Sequence, residues 1–316
     1  MTTTNPLPGS PVNRHLIALL ALVALLSSSA CKTVAVGFVA DAIAGGGGGA
    51  MAADDDPELV RDAVPFALKS MEGLLEQDPR HEGLLLALAS GFTQYGFAFV
   101  ASDADVADQK GDLAAARAGR ERARKLFLRA RDYGLRGLDG KQKGISKRLH
   151  PGPELAPALQ ELDEKEDVPF LYWTAAAWSL AISSGKGDMA LVAELPAPVA
   201  LMERALALDE AWGEGAIHEY FLVLDPGRTA AEGGGIEKAK EHYQRALALS
   251  KNKKLGPHVS YAEGVLVKAQ DRAGFMRVLE EVLAADPDAD KAHRLENVLA
   301  QRRARALLAQ ADDLFL

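Results

Sequence analysis

The chain shows helical hydrophobic periodicity from residue 57 to its C-terminus. Apolar residues recur at spacings of three and four, interrupted by Gly, Pro and Asp, and no stretch alternates apolar and polar positions as a half-buried strand does. Asp56 precedes Pro57 and Glu58, which is typical of a helix start because Asp caps free amides and Pro fits the first turn. The pattern predicts an all-α fold that ends in an amphipathic helix over 289–315.

One small–large–small motif recurs within these helices. Ala239, Tyr243 and Ala246 are spaced four and then three residues apart, as in the second helix of a tetratricopeptide repeat. Ala123, Phe127 and Ala130 repeat it in full, and partial copies end at Ala205 and Val282. The last small positions of the four copies are Ala130, Ala205, Ala246 and Val282. They are separated by 75, 41 and 36 residues, whereas a regular array keeps about 34. We therefore predict degenerate tetratricopeptide-like helical hairpins, forming a solenoid or a compact helical bundle, with insertions at 101–116, at 138–168 and at the glycine turn 233–235.

The N-terminal segment has the features of a lipoprotein signal. Eleven apolar residues at 16–26 are too few to span a bilayer, and they lead into Ser28, Ser29 and Ala30 before Cys31, the only cysteine in the chain. The alternative is an ordinary secretory signal followed by an unpaired thiol. The predicted organisation is a signal peptide at 1–30, a lipidated Cys31 with a Gly-rich tether at 31–56, and a helical-repeat domain at 57–316.

Charge and sorting signals refine this interpretation. Without residues 1–30 the chain has 35 basic and 44 acidic side chains, a formal charge of −9. Lys32 follows the cysteine, and because it is not Asp we expect the outer membrane rather than the inner one.

Residues 110–148 carry 13 basic and 4 acidic side chains. Export argues against nucleic acid as the partner, which leaves either a solvated helix face or a protein-docking surface that includes Arg120 and Arg124.

No catalytic or metal-binding constellation is present in the sequence. The seven histidines are scattered and none lies in a metal-binding pattern. His218 and Glu219 are adjacent, so on a helix their side chains point about 100° apart and do not converge on one ion. The sequence predicts a hydrogen-bonded, structural His218, with no catalytic residue, no metal and no cofactor.

Aromatic residues are concentrated in two segments. Eight of the 19 aromatic residues lie in 84–100 and 169–183. Trp and Tyr combine an apolar body with a polar tip, which suits the wall of a cavity for an amphipathic ligand, although they also pack helix hairpins. The candidates for lining a ligand cavity are Tyr95, Tyr172, Trp173 and Trp178.

Several segments resemble the TatT family, repeat-protein lipoproteins associated with TRAP transporters. Two blocks carry most of the resemblance: 86–100, which reads LALASGFTQYGFAFV, and 171–178, which reads LYWTAAAW. It continues through 201–206, 215–219 and 239–243. The resemblance covers most of residues 55–290.

The resemblance implies a lipid-anchored accessory protein on the periplasmic side of the envelope. Its expected partners are the solute-binding protein of a TRAP transporter, further copies of this chain, and a hydrophobic or amphipathic small molecule that passes through an apolar channel. The alternative is a helical-repeat scaffold for envelope protein–protein interactions. An enzyme is disfavoured because the chain lacks a paired acid, a nucleophile with its base, or a metal site.

Overall fold

The computed structural model describes residues 49–315, and its regular structure there is entirely helical. The helices of the first half are α1 (Pro57–Gln77), α2 (Glu82–Tyr95), α3 (Ser102–Gln109), α4 (Leu113–Lys141), α5 (Leu155–Gln160) and α6 (Val168–Ser184). Those that follow are α7 (Met189–Val192), α8 (Pro196–Leu208), α9 (Ala216–Leu224), α10 (Ile236–Ser250), α11 (Gly256–Tyr261), α12 (Arg272–Ala284), α13 (Arg294–Leu308) and α14 (Ala311–Leu314). The predicted all-α fold is confirmed. The predicted signal peptide, Cys31 and most of the tether lie outside the described residues.

Helix α1 begins where the sequence predicts it. The Asp56 carboxylate accepts hydrogen bonds from the backbone N–H groups of Glu58 and Leu59, both at 3.1 Å, and Pro57 occupies the first helical position. These bonds satisfy amides that have no partner inside the helix.

Helices α2 and α3 form one continuous rod. A π-helical segment, Gly96–Ala101, joins them, so the helix runs from Glu82 to Gln109. By length and composition this stretch is apolar enough to cross a membrane, but 56% of its most apolar window is buried inside the protein. It packs against α1, α4 and α6 and serves as a core helix.

The tightest helix contact lies between α4 and α6. Gly134 and Gly137 of α4 face Thr174 and Phe170 of α6 so closely that a Cβ at either glycine would overlap those side chains. The absent side chains let the two backbones approach, which places α6 at the centre of the first core. Helix α6 is accordingly apolar around most of its circumference.

The described residues contain two main hydrophobic cores. The first extends from α1 to α9, and the second is built by α11 to α14 around Phe275 and Leu279. Helix α13 joins them, because Leu295 and Leu299 pack on the first core while Ala304 belongs to the second.

The C-terminal region also contacts the start of the domain. The predicted terminal helix is divided in the structure into a 3₁₀ turn, α13 and α14. Arg302 of α13 forms a bidentate ion pair with Glu58 of α1, and Arg294 contacts Asp55 at 3.0 Å. The chain therefore closes on itself, with the last long helix against the first.

The small–large–small motif packs as expected from its spacing. Ala239, Tyr243 and Ala246 of α10 are all buried. A Cβ on Gly215, just before α9, would lie 3.0 Å from the Ala246 Cα. Gly215 also has φ of +92°, a conformation that L side chains rarely adopt. A small residue and a glycine thus set the distance between α9 and α10.

Candidate ligand recess

Three aromatic rings from two segments form a wall beside α9. Tyr172 and Trp173 come from α6, and Trp212 comes from the 3₁₀ turn before α9. The Tyr172 ring centroid lies 5.0 Å from that of Trp173 and 4.4 Å from that of Trp212. All three rings are only partly buried, so solvent reaches the wall they form. We call the partly exposed surface that they form, with the neighbouring side chains of α9, the aromatic recess.

Helix α9 supplies polar groups to the same recess. The Tyr220 hydroxyl lies 2.8 Å from the Ser179 hydroxyl of α6, and burial raises the pKa of Tyr220 to about 12. Burial likewise raises the pKa of Tyr172, and the negative charges of Glu219 and Glu296 add to that rise. Glu219 and Tyr220 of α9 therefore lie close enough to Tyr172 to affect its ionisation.

Glu219 is the most perturbed acid of the recess. Its side chain is partly exposed and lies over Gly256, where an added Cβ would be 2.7 Å from the carboxylate Oε1. Desolvation raises its pKa to about 7, against an opposing effect of Lys254. Neither this carboxyl nor the Tyr172 hydroxyl is hydrogen-bonded to another residue in the range 49–315. Both can therefore bond to a molecule in the recess, and Glu219 can act as donor or acceptor near neutral pH.

Further charges near the recess are held by internal pairs. Lys254 Nζ donates to the backbone oxygen of Gly213 at 2.9 Å. His293 lies between two carboxylates, 2.8 Å from Glu214 Oε2 and 2.7 Å from Glu296 Oε1. Among these groups Glu219 is the one without a bonded partner in the described residues, which makes it the candidate for contacting a ligand.

The structure brings together only some of the predicted cavity residues. Tyr172 and Trp173 lie on the recess wall. Trp178 is fully buried, donates from Nε1 to Glu194 at 2.8 Å, and is covered by the Arg131 guanidinium. Tyr95 is 8% exposed, with its ring 5.8 Å from Phe99. Trp178 and Tyr95 therefore occupy packed positions, whereas Tyr172 and Trp173 are accessible.

The sequence did not single out Trp212, and it drew attention to Glu219 only as a neighbour of His218 in a possible metal site. Trp212 lies outside both aromatic segments, in the loop sequence Trp212-Gly213-Glu214-Gly215, and its partly buried ring packs on the first core beside Tyr172. The sequence separates Glu219 from His218 by about 100° on the helix, and the structure agrees: His218 contacts His242 of α10, whereas Glu219 lies over Gly256.

The basic region at 110–148 is partly neutralised by ion pairs within the protein. Arg120 pairs with Asp108 at 2.5 Å, and Arg124 pairs with Glu121 and Asp188. Arg117 and Arg122 of α4 are exposed and form no ion pair with a described residue. Arg117 and Arg122 are therefore among the charges of this region that remain accessible.

Comparison with known proteins identifies the family. A family model described as TRAP transporter T-component, TatT, matches residues 53–315. The chain belongs to the TatT family. An uncharacterized protein of Treponema pallidum (strain Nichols) is 31% identical over 263 residues, covering 83% of this chain and 81% of that protein. Membership of the TatT family makes this protein an accessory component of a TRAP transporter and indicates a location in the cell envelope.

Proposed function

We propose that this TatT protein is anchored on the periplasmic side of the envelope, binds the solute-binding protein of its TRAP transporter, and passes a hydrophobic or amphipathic small molecule through the aromatic recess. The observation that carries the proposal is the accessible wall of Tyr172, Trp173 and Trp212 beside the unpaired carboxyl of Glu219. Aromatic surface with a few placed polar groups is typical of small-molecule sites.

The anchor is proposed at Cys31, which lies outside the described residues. A fully processed lipoprotein carries several acyl chains, enough for stable membrane attachment. Radiolabelled palmitate should enter the wild-type protein but not Cys31→Ser, and labelled protein should fractionate with the outer membrane. Equal labelling of both forms would exclude lipidation at this residue.

Ligand binding can be tested with the tryptophans of the recess. The chain has three Trp residues, so Trp178→Phe leaves emission only from Trp173 and Trp212. Medium- and long-chain fatty acids and aromatic acids should be screened by native mass spectrometry and by this emission. We expect a retained acid and a fluorescence change on binding.

Variants of the wall provide the specificity control. Trp212→Ala should weaken binding roughly tenfold, because one lost aromatic contact is worth about 1.4 kcal/mol. Phe66→Ala removes another large aromatic side chain, one that is 79% exposed on α1, and should leave binding unchanged. Equal affinity of both variants, or no bound ligand across the panel, would contradict the recess assignment.

The partner can be tested by crosslinking in native membranes followed by purification. We expect a TRAP-class solute-binding protein, recovered less at high salt because exposed charge pairs are screened. Arg117→Glu with Arg122→Glu should reduce recovery if α4 is the docking face. Lys291→Glu with Arg305→Glu changes the charge equally on exposed residues elsewhere and should not. Recovery of only unrelated envelope proteins would favour the scaffold alternative.

A further inference from the structure

A chain of four titratable groups crosses the interface between α9 and α10, on the side of α9 away from the aromatic recess. It consists of Glu210, His218, His242 and Asp225, in that spatial order. His218 and His242 are 5% and 8% exposed, and Asp225 is 1% exposed. The four groups line a pocket of about 420 Å³.

Glu210, at one end of this series of groups, determines which nitrogen of His218 carries its proton. Arg245 binds both carboxylate oxygens of Glu210, at 2.6 and 2.7 Å, and this pairing lowers the pKa of Glu210 to about 2. Glu210 is therefore ionised at neutral pH and can only accept a hydrogen bond. Because His218 Nε2 lies 3.1 Å from Glu210 Oε1, this nitrogen must carry a proton.

The first proton determines the second. Burial lowers the pKa of both histidines, so each is neutral and has one N–H. With its proton on Nε2, His218 presents a bare Nδ1. His242 Nδ1 lies 2.8 Å from that atom and must therefore be the donor. Phe221 stacks on the His242 ring with centroids 5.1 Å apart, which restricts the ring's rotation.

At the other end of the series, no proton is left for the contact between His242 and Asp225. A neutral His242 with its proton on Nδ1 has a bare Nε2, and this atom faces Asp225 Oδ2 at 3.5 Å. Asp225 Oδ1 accepts from Arg228 at 3.1 Å, but the buried Oδ2 has no hydrogen-bond partner. Two acceptors thus face each other with no hydrogen between them, an arrangement that is costly in a buried site.

We propose that the gap between His242 Nε2 and Asp225 Oδ2 is a proton-binding site. Uptake of one proton converts two opposed acceptors into a donor and an acceptor and draws the two atoms from 3.5 Å into hydrogen-bonding range. The bond links the end of α9 to α10. The inference depends only on this cluster and not on the proposed transport role.

The surrounding charges favour a proton over a metal ion as the ligand. Arg228 occupies the other oxygen of Asp225, and Lys238 lies close enough to lower the pKa of His242. The remaining charges facing the site come from Glu203 of α8 and from Glu241 and Arg245 of α10. No group of three or more metal-binding side chains converges anywhere in residues 49–315. A divalent ion would have one nitrogen and one oxygen ligand beside two cations.

Ring ¹⁵N-histidine NMR of the full-length protein in detergent tests the site directly. At neutral pH we expect His218 with its proton on Nε2 and His242 with its proton on Nδ1. On acidification, while circular dichroism shows an intact fold, the His242 Nε2 signal should move to the protonated position. A wild-type His242 that carries its proton on Nε2 at neutral pH would overturn the assignment, and this measurement needs no variant.

Asp225→Asn provides the matched perturbation. Arg228 continues to donate to the amide oxygen of Asn, so the amide N–H₂ points at His242 Nε2. It supplies a hydrogen-bond donor there without uptake of a proton. The His242 titration should shift to lower pH by about one unit or more. Glu203→Gln removes the same charge near Arg228 without touching His242 and should shift it far less. Identical titrations in wild type and Asp225→Asn, or movement of both ring signals on adding zinc chloride at neutral pH, would refute the proton site.

Discussion

His218 and Glu219 are neighbours in α9, yet they meet opposite environments. His218 is buried and bonded through both ring nitrogens, to Glu210 and to His242. Glu219 is partly exposed and has no bonded partner among the described residues, although desolvation raises its pKa to about 7. One helix thus contributes both to a polar cluster in which nearly every group is hydrogen-bonded and to a recess whose polar groups have free hydrogen-bonding capacity.

The difference distinguishes a structural polar group from one available to a ligand. Each buried donor or acceptor that lacks a partner costs free energy, so a folded protein pairs almost all of them. The cluster around His218 follows this rule except at Asp225 Oδ2. The recess leaves Glu219 and Tyr172 unpaired where solvent can reach them, which is tolerable without a ligand and useful with one.

The largest expected effect comes from separating α9 from α10. Ala246→Leu should lower the free energy of unfolding by about 2–3 kcal/mol, because the added atoms overpack the close contact with Gly215. The strain should shift α9, which carries both His218 and Glu219. Thermal and urea unfolding would measure the loss. Arg277→Ala, at a side chain 73% exposed, serves as the control. A melting curve unchanged in Ala246→Leu would show that the two helices do not pack as closely as described.

Removing the His218 imidazole tests the buried polar cluster. His218→Ala should cost about 2 kcal/mol, because His242 Nδ1–H then loses its acceptor inside the protein. The loss should persist at high salt, since no exposed ion pair is its main cause. Urea unfolding in low and high salt would measure it. A cost near zero would mean that water enters the cluster as freely as it enters the recess.

A substitution of Glu219 should stabilise the protein, in contrast to His218→Ala. Its folded pKa of about 7 exceeds the ordinary value of 4.5, so the fold holds this proton more tightly than the unfolded chain does. The stability that it contributes is complete below pH 4.5 and is lost as the pH rises through 7. Glu219→Gln mimics the protonated acid and should stabilise the protein by about 1 kcal/mol near pH 8, with partial exposure limiting the gain. Melting the two proteins at about pH 8 and about pH 4 checks this, since the difference should vanish at the lower pH.

The sequence predicts the helices better than it predicts the contacts between them. The helical period, the Asp56 cap and the Ala239–Tyr243–Ala246 spacing depend on local geometry, and each appears as expected. The contacts of His218 with His242 and of Tyr172 with Trp212 join residues 24 and 40 positions apart. No local pattern specifies which face of each helix meets the other. For the same reason Trp178 and Trp173 are alike in sequence, although one is fully buried and the other is accessible.

The smallest effect is expected from the hydroxyl pair at the recess. Tyr220→Phe removes the 2.8 Å contact with Ser179, yet Ser179 is partly exposed and water can replace the lost hydroxyl. The cost should be only about 0.5 kcal/mol, at the lower end for a hydrogen bond and well below that of His218→Ala. A double-mutant cycle with Ser179→Ala, followed by urea unfolding, isolates the coupling between the two hydroxyls. A coupling as large as the loss in His218→Ala would mean that the recess excludes water, and the contrast between the two faces of α9 would then fail.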